Sequence, residues 1–137
     1  MDDCIFCKII NGTLPSCKVY ETDTLYAFLD LNPSSKGHTL IVPKKHCQDI
    51  FGADTSIGSD VLEAMKTVAR AIKEVTGCTG INIVQNNGRD AGQMIDHLHW
   101  HIVPRFANDG LDLWPQGKYD SMDEMNAMAE KLRKALA

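Results

Sequence analysis

Residues 97–103 read His97-Leu98-His99-Trp100-His101-Ile102-Val103, and the rest of the chain is organised around this stretch. Histidines alternate with large apolar residues, and a period of two is typical of a β-strand. The pattern predicts a strand with three imidazoles on one face and with the apolar side chains packed against a core on the other. Pro104 and Arg105 follow, and we expect the strand to end there, because proline cannot donate to a central ladder.

The three imidazoles suggest a metal site, but their spacing argues against one ion bound by all of them. On an extended strand, His97 and His101 lie about 13 Å apart at roughly 3.3 Å per residue, whereas zinc ligands lie about 2 Å from the ion. We therefore expect the three histidines to have at least two different functions. His99 has a neighbour on each side that can tune it, which favours a nucleophile or a base. The alternative is a histidine with no role beyond a satisfied hydrogen bond, which three histidines on one face disfavour.

The composition and charge exclude several classes of protein. The 137 residues fit a single domain over residues 1–137, and 44% apolar with 23% charged residues is typical of a soluble globular protein. The net charge of −4 and the lack of a basic block argue against a nucleic-acid partner. The apolar runs are too short to span a membrane, and Met1-Asp2-Asp3 is acidic where a signal peptide is basic. An odd number of cysteines, five, disfavours a disulfide framework, so we expect a cytoplasmic protein.

Periodicity and turn residues predict the remaining elements. Strands are expected at 17–21, 25–30, 38–42 and 80–85, and the first three have short links that favour an antiparallel meander. Helices are expected at 4–10 with Asp3 as N-cap, at 60–75 with a capping pair of Asp60 and Glu63, and after Ser121. The apolar stripes predicted for the two longer helices are Val61, Leu62, Met65, Val68, Ala69, Ile72 and Val75, and Met122, Met125, Ala129, Leu132 and Leu136. We interpret the methionines as core residues.

Cys4 and Cys7 have the spacing of half a zinc site. Two buried cysteines in a short helix are an equally good interpretation of this pair alone. The missing ligands would come from His46 and either His38 or His97, whereas Cys47 points elsewhere on an extended segment. We hypothesise a structural Cys2His2 zinc site made by Cys4, Cys7, His46 and His97.

The loop from Asn86 to Gln93 directly precedes the histidine stretch. Its glycines allow backbone N–H groups to approach an anion, and its amide side chains add donors. An ordinary hairpin connection fits the same residues, but the position before three histidines favours phosphate binding. Asp30 follows a predicted strand, where its carboxylate can bond a ribose hydroxyl or cap the next turn, and the local sequence does not decide between these roles.

The histidine stretch matches, at every position, the pattern His-φ-His-φ-His-φ-φ of the histidine triad family, in which φ is an apolar residue. Three further segments resemble that family in the same order: residues 4–10, 37–46 and 86–93. The likeness runs from about Asp3 to Arg105 and is closest to the histidine triad nucleotide-binding branch in its bacterial form. A C-terminal helical extension at about 119–137 is not diagnostic.

The resemblance implies an α+β fold, with a five-stranded antiparallel sheet, one long central helix, a short N-terminal helix and a C-terminal helix, paired into a homodimer. It implies His99 as nucleophile on the α-phosphorus of a purine nucleotide, with His101 and His97 as further catalytic residues. The nucleotide-binding residues that it implies are Ile5, Phe6, Ile9, Phe28, Asp30, Leu31, Asn86, Gly92, Gln93, Met94, His99 and His101. It also agrees with zinc on the four Cys and His ligands, and it implies no organic cofactor.

Met94 departs from the family pattern, because many members have Ser or Thr after the Gly-Gln pair. A hydroxyl there is expected to help protonate the leaving group, which methionine cannot do. The first interpretation is hydrolysis of nucleoside 5′-phosphoramidates through a nucleotidyl-histidine. The alternatives are a dinucleoside polyphosphate hydrolase or nucleotidyl transferase, and a zinc-stabilised purine nucleotide-binding or interaction protein with little turnover.

Overall fold

The computed structural model describes residues 3–137, so that Met1 and Asp2, on which part of the signal-peptide argument rests, lie outside it. Five strands and three helices follow one another along the chain, and short 3-10 turns occur at Ile50–Gly52, Thr55–Ile57 and Arg89–Ala91. The elements are α1 (Ile5–Ile10), β1 (Lys18–Glu21), β2 (Leu25–Leu29), β3 (Thr39–Pro43), α2 (Gly58–Thr76), β4 (Gly80–Gln85), β5 (Trp100–Arg105) and α3 (Met122–Leu136).

The five strands form one antiparallel sheet in the order β1-β2-β3-β5-β4. The predicted α+β fold with a five-stranded antiparallel sheet and three helices is therefore confirmed. β2 and β3 are apolar on both faces because α1 and α2 cover opposite sides of the sheet. The side chains of α2 pack with Leu25, Ala27, Ile41 and Ile102, whereas those of α1 pack with Tyr26, Phe28, Leu40 and Val42. None of the helices within residues 3–137 has the length and hydropathy needed to cross a bilayer.

The histidine stretch differs from its prediction at both ends. β5 begins at Trp100, because the β3 pairing ends at Ile41 opposite Trp100. His97 and His99 therefore lie in the irregular segment before the strand, with His97 in a bend. β5 also continues through Pro104, which is paired with Ile81. The nitrogen and carbonyl of Pro104 face the β3 side of β5, beyond the last β3 pair, so the missing N–H removes no ladder bond. Ser35 donates its hydroxyl to the Pro104 carbonyl instead, at 2.6 Å.

The helix caps also correct two predictions. Cys4, not Asp3, is the N-cap of α1, because its Sγ accepts a hydrogen bond from the Cys7 amide. α2 begins at Gly58 without a side-chain cap, and Asp60 accepts from the Thr24 hydroxyl at 2.9 Å instead of capping. Ser121 caps α3 by accepting from the Glu124 amide, as the sequence predicts.

The apolar stripes of the long helices are covered to different extents. In α2 the buried residues are Val61, Ala64, Val68 and Ile72, whereas Leu62 and Val75 are exposed. The stripe predicted for α2 is therefore too wide. In α3 no residue is buried, so the interpretation of its methionines as core residues is wrong for this chain. The C-terminal helix of the chain is in the predicted place but has an uncovered apolar face.

Candidate active site and metal centre

Four side chains converge beside the N-terminus of α1: Cys4, Cys7, His46 and His97. Their ligand atoms all lie within 4.8 Å of one another. The Sγ–Nδ1 distances are 3.3 Å from Cys4 to His97 and 3.4 Å from Cys7 to His46, and the two Nδ1 atoms are 3.1 Å apart. Donors about 2.0–2.3 Å from a tetrahedral ion are separated by roughly 3.3–3.8 Å. The cluster therefore has the donor set and the spacing of a tetrahedral metal site.

Hydrogen bonding orients the His97 ring toward this cluster. Nε2 of His97 donates to the carbonyl of Pro43 at 2.8 Å, which leaves the lone pair of Nδ1 facing the thiols. The side chain is fully buried, and burial lowers the pKa of His97 below its ordinary value, as a neutral ligand requires. The predicted catalytic role of His97 needs a correction, because its ring nitrogens face Pro43 and the Cys and His cluster rather than the imidazoles of His99 and His101. Its contribution to them is its carbonyl oxygen.

That carbonyl accepts a hydrogen bond from Nδ1 of His99 at 2.7 Å. Since Nδ1 carries the proton, Nε2 of His99 holds a free lone pair. Burial lowers the pKa of His99, and the hydrogen bond to the carbonyl of His97 opposes this effect only in part, so the ring is neutral at pH 7. The edge of the Phe6 ring packs against it, with centroids 5.1 Å apart. A neutral, oriented imidazole of this kind is suited to nucleophilic attack.

His101 is held by a chain of hydrogen bonds that sequence reasoning missed. The amide of Ser34 donates to Nδ1 of His38 at 3.0 Å, so the proton of His38 lies on Nε2. Nε2 lies 2.9 Å from Nδ1 of His101 and donates to it, which places the proton of His101 on its own Nε2. Burial, followed by the neighbouring rings of His99 and His38, lowers the pKa of His101 to about 4. His101 is therefore a neutral donor beside His99, and the centroids of the two rings are 4.9 Å apart.

Asp30 has the turn-capping role that was one of its two predicted alternatives, and its second oxygen faces His38. Oδ1 accepts from the amide of Asn32 at 2.9 Å, which caps the turn. Oδ2 lies 3.6 Å from Nε2 of His38, at the back of the hydrogen-bond chain to His101. The carboxylate favours a protonated His38, but burial has the larger effect and lowers the pKa of His38.

The predicted base pocket is assembled only in part. Phe6 and Phe28 are buried in edge-to-face contact, with centroids 5.5 Å apart, and Ile9 packs beside them. Ile5 is half exposed, and Leu31 is 92% exposed. The aromatic wall next to His99 is thus preformed, whereas Leu31 is not part of it.

Gln93, which the sequence predicts to bind phosphate, instead orders the loop 86–93 in this structure. The Gln93 amide is 2% exposed and donates to the carbonyls of Gln48 and Ile95, at 2.7 and 3.0 Å. Its oxygen accepts from the amide of Gly88 at 2.9 Å. The side chain therefore has no hydrogen left for a ligand. Its function is to hold the loop in shape.

Gly92 and Asn86 lie together at the end of that loop. Gly92 has a φ of +93°, which disfavours any residue with a side chain, and a Cβ there would lie 3.5 Å from the Asn86 amide nitrogen. The backbone thus approaches the Asn86 amide closely. These two residues, unlike Gln93, remain candidates for binding phosphate.

Met94 lies on the metal-site side of the loop. It is 70% exposed and lines a cavity of about 340 Å³ together with Cys4, Ile5 and His46. Its carbonyl accepts from Arg89, which also donates to the carbonyl of Gln93. The side chain of Met94 is therefore exposed at the cavity, while its carbonyl is held by Arg89.

The fold and the two histidine-containing clusters define an α+β protein in which a buried, oriented imidazole lies next to a cluster of two cysteines and two histidines with the spacing of metal ligands. The HIT domain family model matches residues 11–108. The chain therefore belongs to the HIT domain family.

Relatives and solved structures agree with this assignment. An adenosine 5′-monophosphoramidase of Candida albicans is 39% identical over 140 residues, covering 98% of this chain and 91% of the relative. A crystal structure of a HIT family member from Bacillus subtilis superposes with a TM-score of 0.91 at 37% identity, covering 98% of each chain. A Zn-bound histidine triad family protein from Mycobacterium smegmatis superposes with a TM-score of 0.77 at 31% identity, again covering 98% of each chain.

Proposed function

We propose that this protein is a nucleotide hydrolase that attacks the α-phosphorus of purine nucleotides with Nε2 of His99. The observation that carries the proposal is the hydrogen bond from Nδ1 of His99 to the carbonyl of His97, because it fixes the tautomer with a free Nε2 lone pair. The similarity to an adenosine 5′-monophosphoramidase supports nucleoside 5′-phosphoramidates as the first substrate class.

In the first step, Nε2 of His99 forms a bond to phosphorus while the phosphorus–nitrogen bond to the leaving amine breaks. The amine departs with a proton taken from solvent, because Met94 has no hydroxyl to supply one. In the second step, water attacks the nucleotidyl-histidine, releases the nucleoside monophosphate and regenerates neutral His99. Dividing one difficult displacement into two easier steps is the gain of covalent catalysis.

His101 supports both steps as a donor to the phosphoryl oxygens. Its Nε2–H is fixed by the chain of hydrogen bonds through His38, and charge accumulates on these oxygens in the transition state. Asn86 and the Gly92 amide are proposed to bind the same oxygens. Phe6 and Phe28 form the apolar wall for the base, and Asp30 is proposed to bond the ribose.

The Cys and His cluster is proposed to hold zinc through Cys4, Cys7, His46 and His97. With four protein ligands, the ion is structural and leaves no open position for substrate. It would tie α1 to the segment that carries the nucleophile.

Met94 favours a second candidate substrate class, the dinucleoside polyphosphates. A polyphosphate leaving group departs as a stable oxyanion and needs no proton, so the missing hydroxyl has a smaller effect on that reaction. The two classes are separated by their kcat/KM values in parallel assays of adenosine 5′-phosphoramidate and diadenosine polyphosphate.

The proposal is tested by trapping the intermediate. The protein is mixed with each substrate, quenched in milliseconds and digested for mass spectrometry, with His99→Ala as control. We expect a nucleotidyl adduct on His99 in the wild type and none in the variant. An adduct on another residue would overturn the mechanism. Absence of both adduct and product with either substrate would instead leave a nucleotide-binding protein.

A further inference from the structure

Cys4 and Cys7 lie one helical turn apart, and their sulfur atoms are close together. The two Sγ atoms lie within 4.8 Å of each other, and Sγ of Cys4 also accepts from the amide of Cys7 at 3.4 Å. Residues three apart on a helix have Cα atoms about 5 Å apart, which is inside the range of roughly 4.4–6.8 Å that a disulfide spans. Rotation of the two side chains is therefore enough to bring the sulfurs into bonding contact.

The two thiols differ in their access to solvent. A cavity of about 340 Å³ opens beside Cys4, and the described residues that line it include Cys4 and Met94 but not Cys7. Cys7 is half-buried, and its Sγ faces Nδ1 of His46 at 3.4 Å. A small oxidant that enters this cavity therefore meets Cys4 first, with the second thiol within reach of the product.

We propose that Cys4 and Cys7 are a site of reversible oxidation, at which hydrogen peroxide joins the two thiols in a disulfide. The Cys4 thiolate attacks one peroxide oxygen, the O–O bond breaks, and Cys4 becomes a sulfenic acid while hydroxide leaves. Sγ of Cys7 then forms a bond to Sγ of Cys4, and the sulfenic oxygen leaves as water with the proton of the Cys7 thiol. The two sulfurs lose two electrons in total, and the peroxide is reduced to two molecules of water.

The disulfide and the proposed metal ion require the same two sulfurs. Cysteine binds a metal as the thiolate, which the oxidised pair no longer offers. His46 and His97 would then be the remaining ligands of the cluster, and two imidazoles do not complete a tetrahedral site. Each disulfide is therefore expected to release one metal ion. This consequence rests on the proposed zinc site, whereas the formation of the disulfide does not.

The first test treats the full-length protein with hydrogen peroxide, alkylates the remaining thiols with N-ethylmaleimide in denaturant and maps them by mass spectrometry. The tryptic peptide that ends at Lys8 contains Cys4 and Cys7 and no other cysteine. We expect this peptide to lose two hydrogens, to carry no maleimide and to recover both thiols in dithiothreitol. Cys17→Ser, which removes an exposed cysteine outside the cluster, should behave in the same way.

Three results of this test would overturn the proposal. They are full alkylation of Cys4 and Cys7 after the peroxide treatment, a disulfide from either residue to another cysteine, and oxidation that dithiothreitol does not reverse. A chromogenic chelator measures metal release in the same samples, and we expect one ion for each disulfide. A disulfide in protein that held no metal beforehand would refute the zinc site and support the oxidation site. Metal retained by the oxidised protein would refute the competition between them.

The second test separates the two thiols with a matched pair of variants. Cys7→Ser leaves Cys4 without a partner, so its sulfenic acid persists and is trapped by dimedone, whereas Cys4→Ser leaves only the less accessible thiol. We expect at least about tenfold more dimedone adduct on Cys4 in Cys7→Ser than on Cys7 in Cys4→Ser, because access controls the first step. Equal labelling of the two variants, or the reverse order, would show that Cys4 is not the attacking thiol.

Discussion

His97 and His99 are two residues apart, and both are buried, yet they present opposite ring nitrogens. His97 donates from Nε2 to Pro43 and turns Nδ1 toward two thiols, whereas His99 donates from Nδ1 to the carbonyl of His97 and keeps Nε2 free. The carbonyl that accepts the proton decides which lone pair remains available. The difference teaches that residue type alone does not assign these histidines, because one hydrogen bond decides which ring nitrogen is free for the proposed role of ligand or nucleophile.

The second pair of histidines sharpens this contrast. One possible metal-ligating atom from each of Asp30, His38 and His101 lies within 4.8 Å of the other two. The same limit holds for the cluster of two thiols and two imidazoles. Here, however, a proton occupies the line between the two rings, since Nδ1 of His38 already accepts from Ser34. The same density of ligand atoms therefore gives a chain of hydrogen bonds at one cluster and the proposed metal site at the other.

The strongest test of the contrast is to remove each of the two neighbouring rings. His99→Ala is expected to lower kcat at least about 1,000-fold, about 4 kcal/mol, because the nucleophile is lost. Metal content, measured by plasma mass spectrometry, should stay at the wild-type level. His97→Ala should have the opposite effect: the metal content falls, and kcat decreases less than in His99→Ala. Equal loss of turnover and of metal in both variants would contradict the division of roles.

Removal of the metal itself should affect stability more than chemistry. Cys4→Ser with Cys7→Ser, or exhaustive chelation, is expected to lower the free energy of unfolding by about 3 kcal/mol, the effect of a ligand at some hundreds of times its Kd. For a domain of this size, that corresponds to a decrease in Tm of roughly 10 °C. Calorimetry measures it, and Cys17→Ser is the matched control, since Cys17 is exposed and outside the cluster. A Tm unchanged by chelation would refute a structural metal.

The chain of hydrogen bonds through His38 predicts a pH dependence of stability. The pKa of His101 is lowered from 6.5 to about 4, so the unfolded chain binds the proton more tightly than the folded one. Its contribution is fully present above about pH 6.5 and is lost as the pH falls toward 4, by an amount of the order of 2 kcal/mol. Urea unfolding of wild type and of His101→Gln at matched metal content measures the difference. The same slope in both proteins over this range would show that His101 does not cause it.

The smallest expected effect concerns His38, which acts through His101. His38→Ala removes the ring that fixes the His101 tautomer and should lower kcat about tenfold, with little change in KM. His38→Gln keeps an amide donor near the position of Nε2 and should recover part of the loss. A His38→Gln variant as slow as His38→Ala would indicate that packing, rather than the hydrogen bond to His101, is responsible.

Much of the fold follows from local patterns in the sequence. Alternating residues located β4 within its observed bounds, and turn residues separated the first three strands correctly. The alternation of histidines and apolar residues wrongly predicted that the strand begins at His97. Alternation indicates which way side chains point, but it does not indicate whether the backbone is paired with another strand. The amide of Leu98 in fact donates to the carbonyl of Cys47 in a loop, at 2.8 Å.

The candidate site was predictable where one strand or one short helix supplies the residues. The choice between His38 and His97 as metal ligand required the fold, because it depends on which imidazole faces α1. The hydrogen bonds from Gln93 to the carbonyls of Gln48 and Ile95 could not be predicted from the sequence either. A side-chain amide can donate equally well to a carbonyl or to a phosphate. In α3, the sequence showed an apolar stripe but could not show whether the same chain covers it.

The acceptor that orients His99 is a main-chain oxygen, and this has an evolutionary consequence. Every amino acid at position 97 supplies the same atom, so descendants of such a chain can exchange the residues of the Cys and His cluster while retaining the attacking ring in its present tautomer. A descendant of this chain can therefore gain or lose the metal cluster without changing the tautomer of His99.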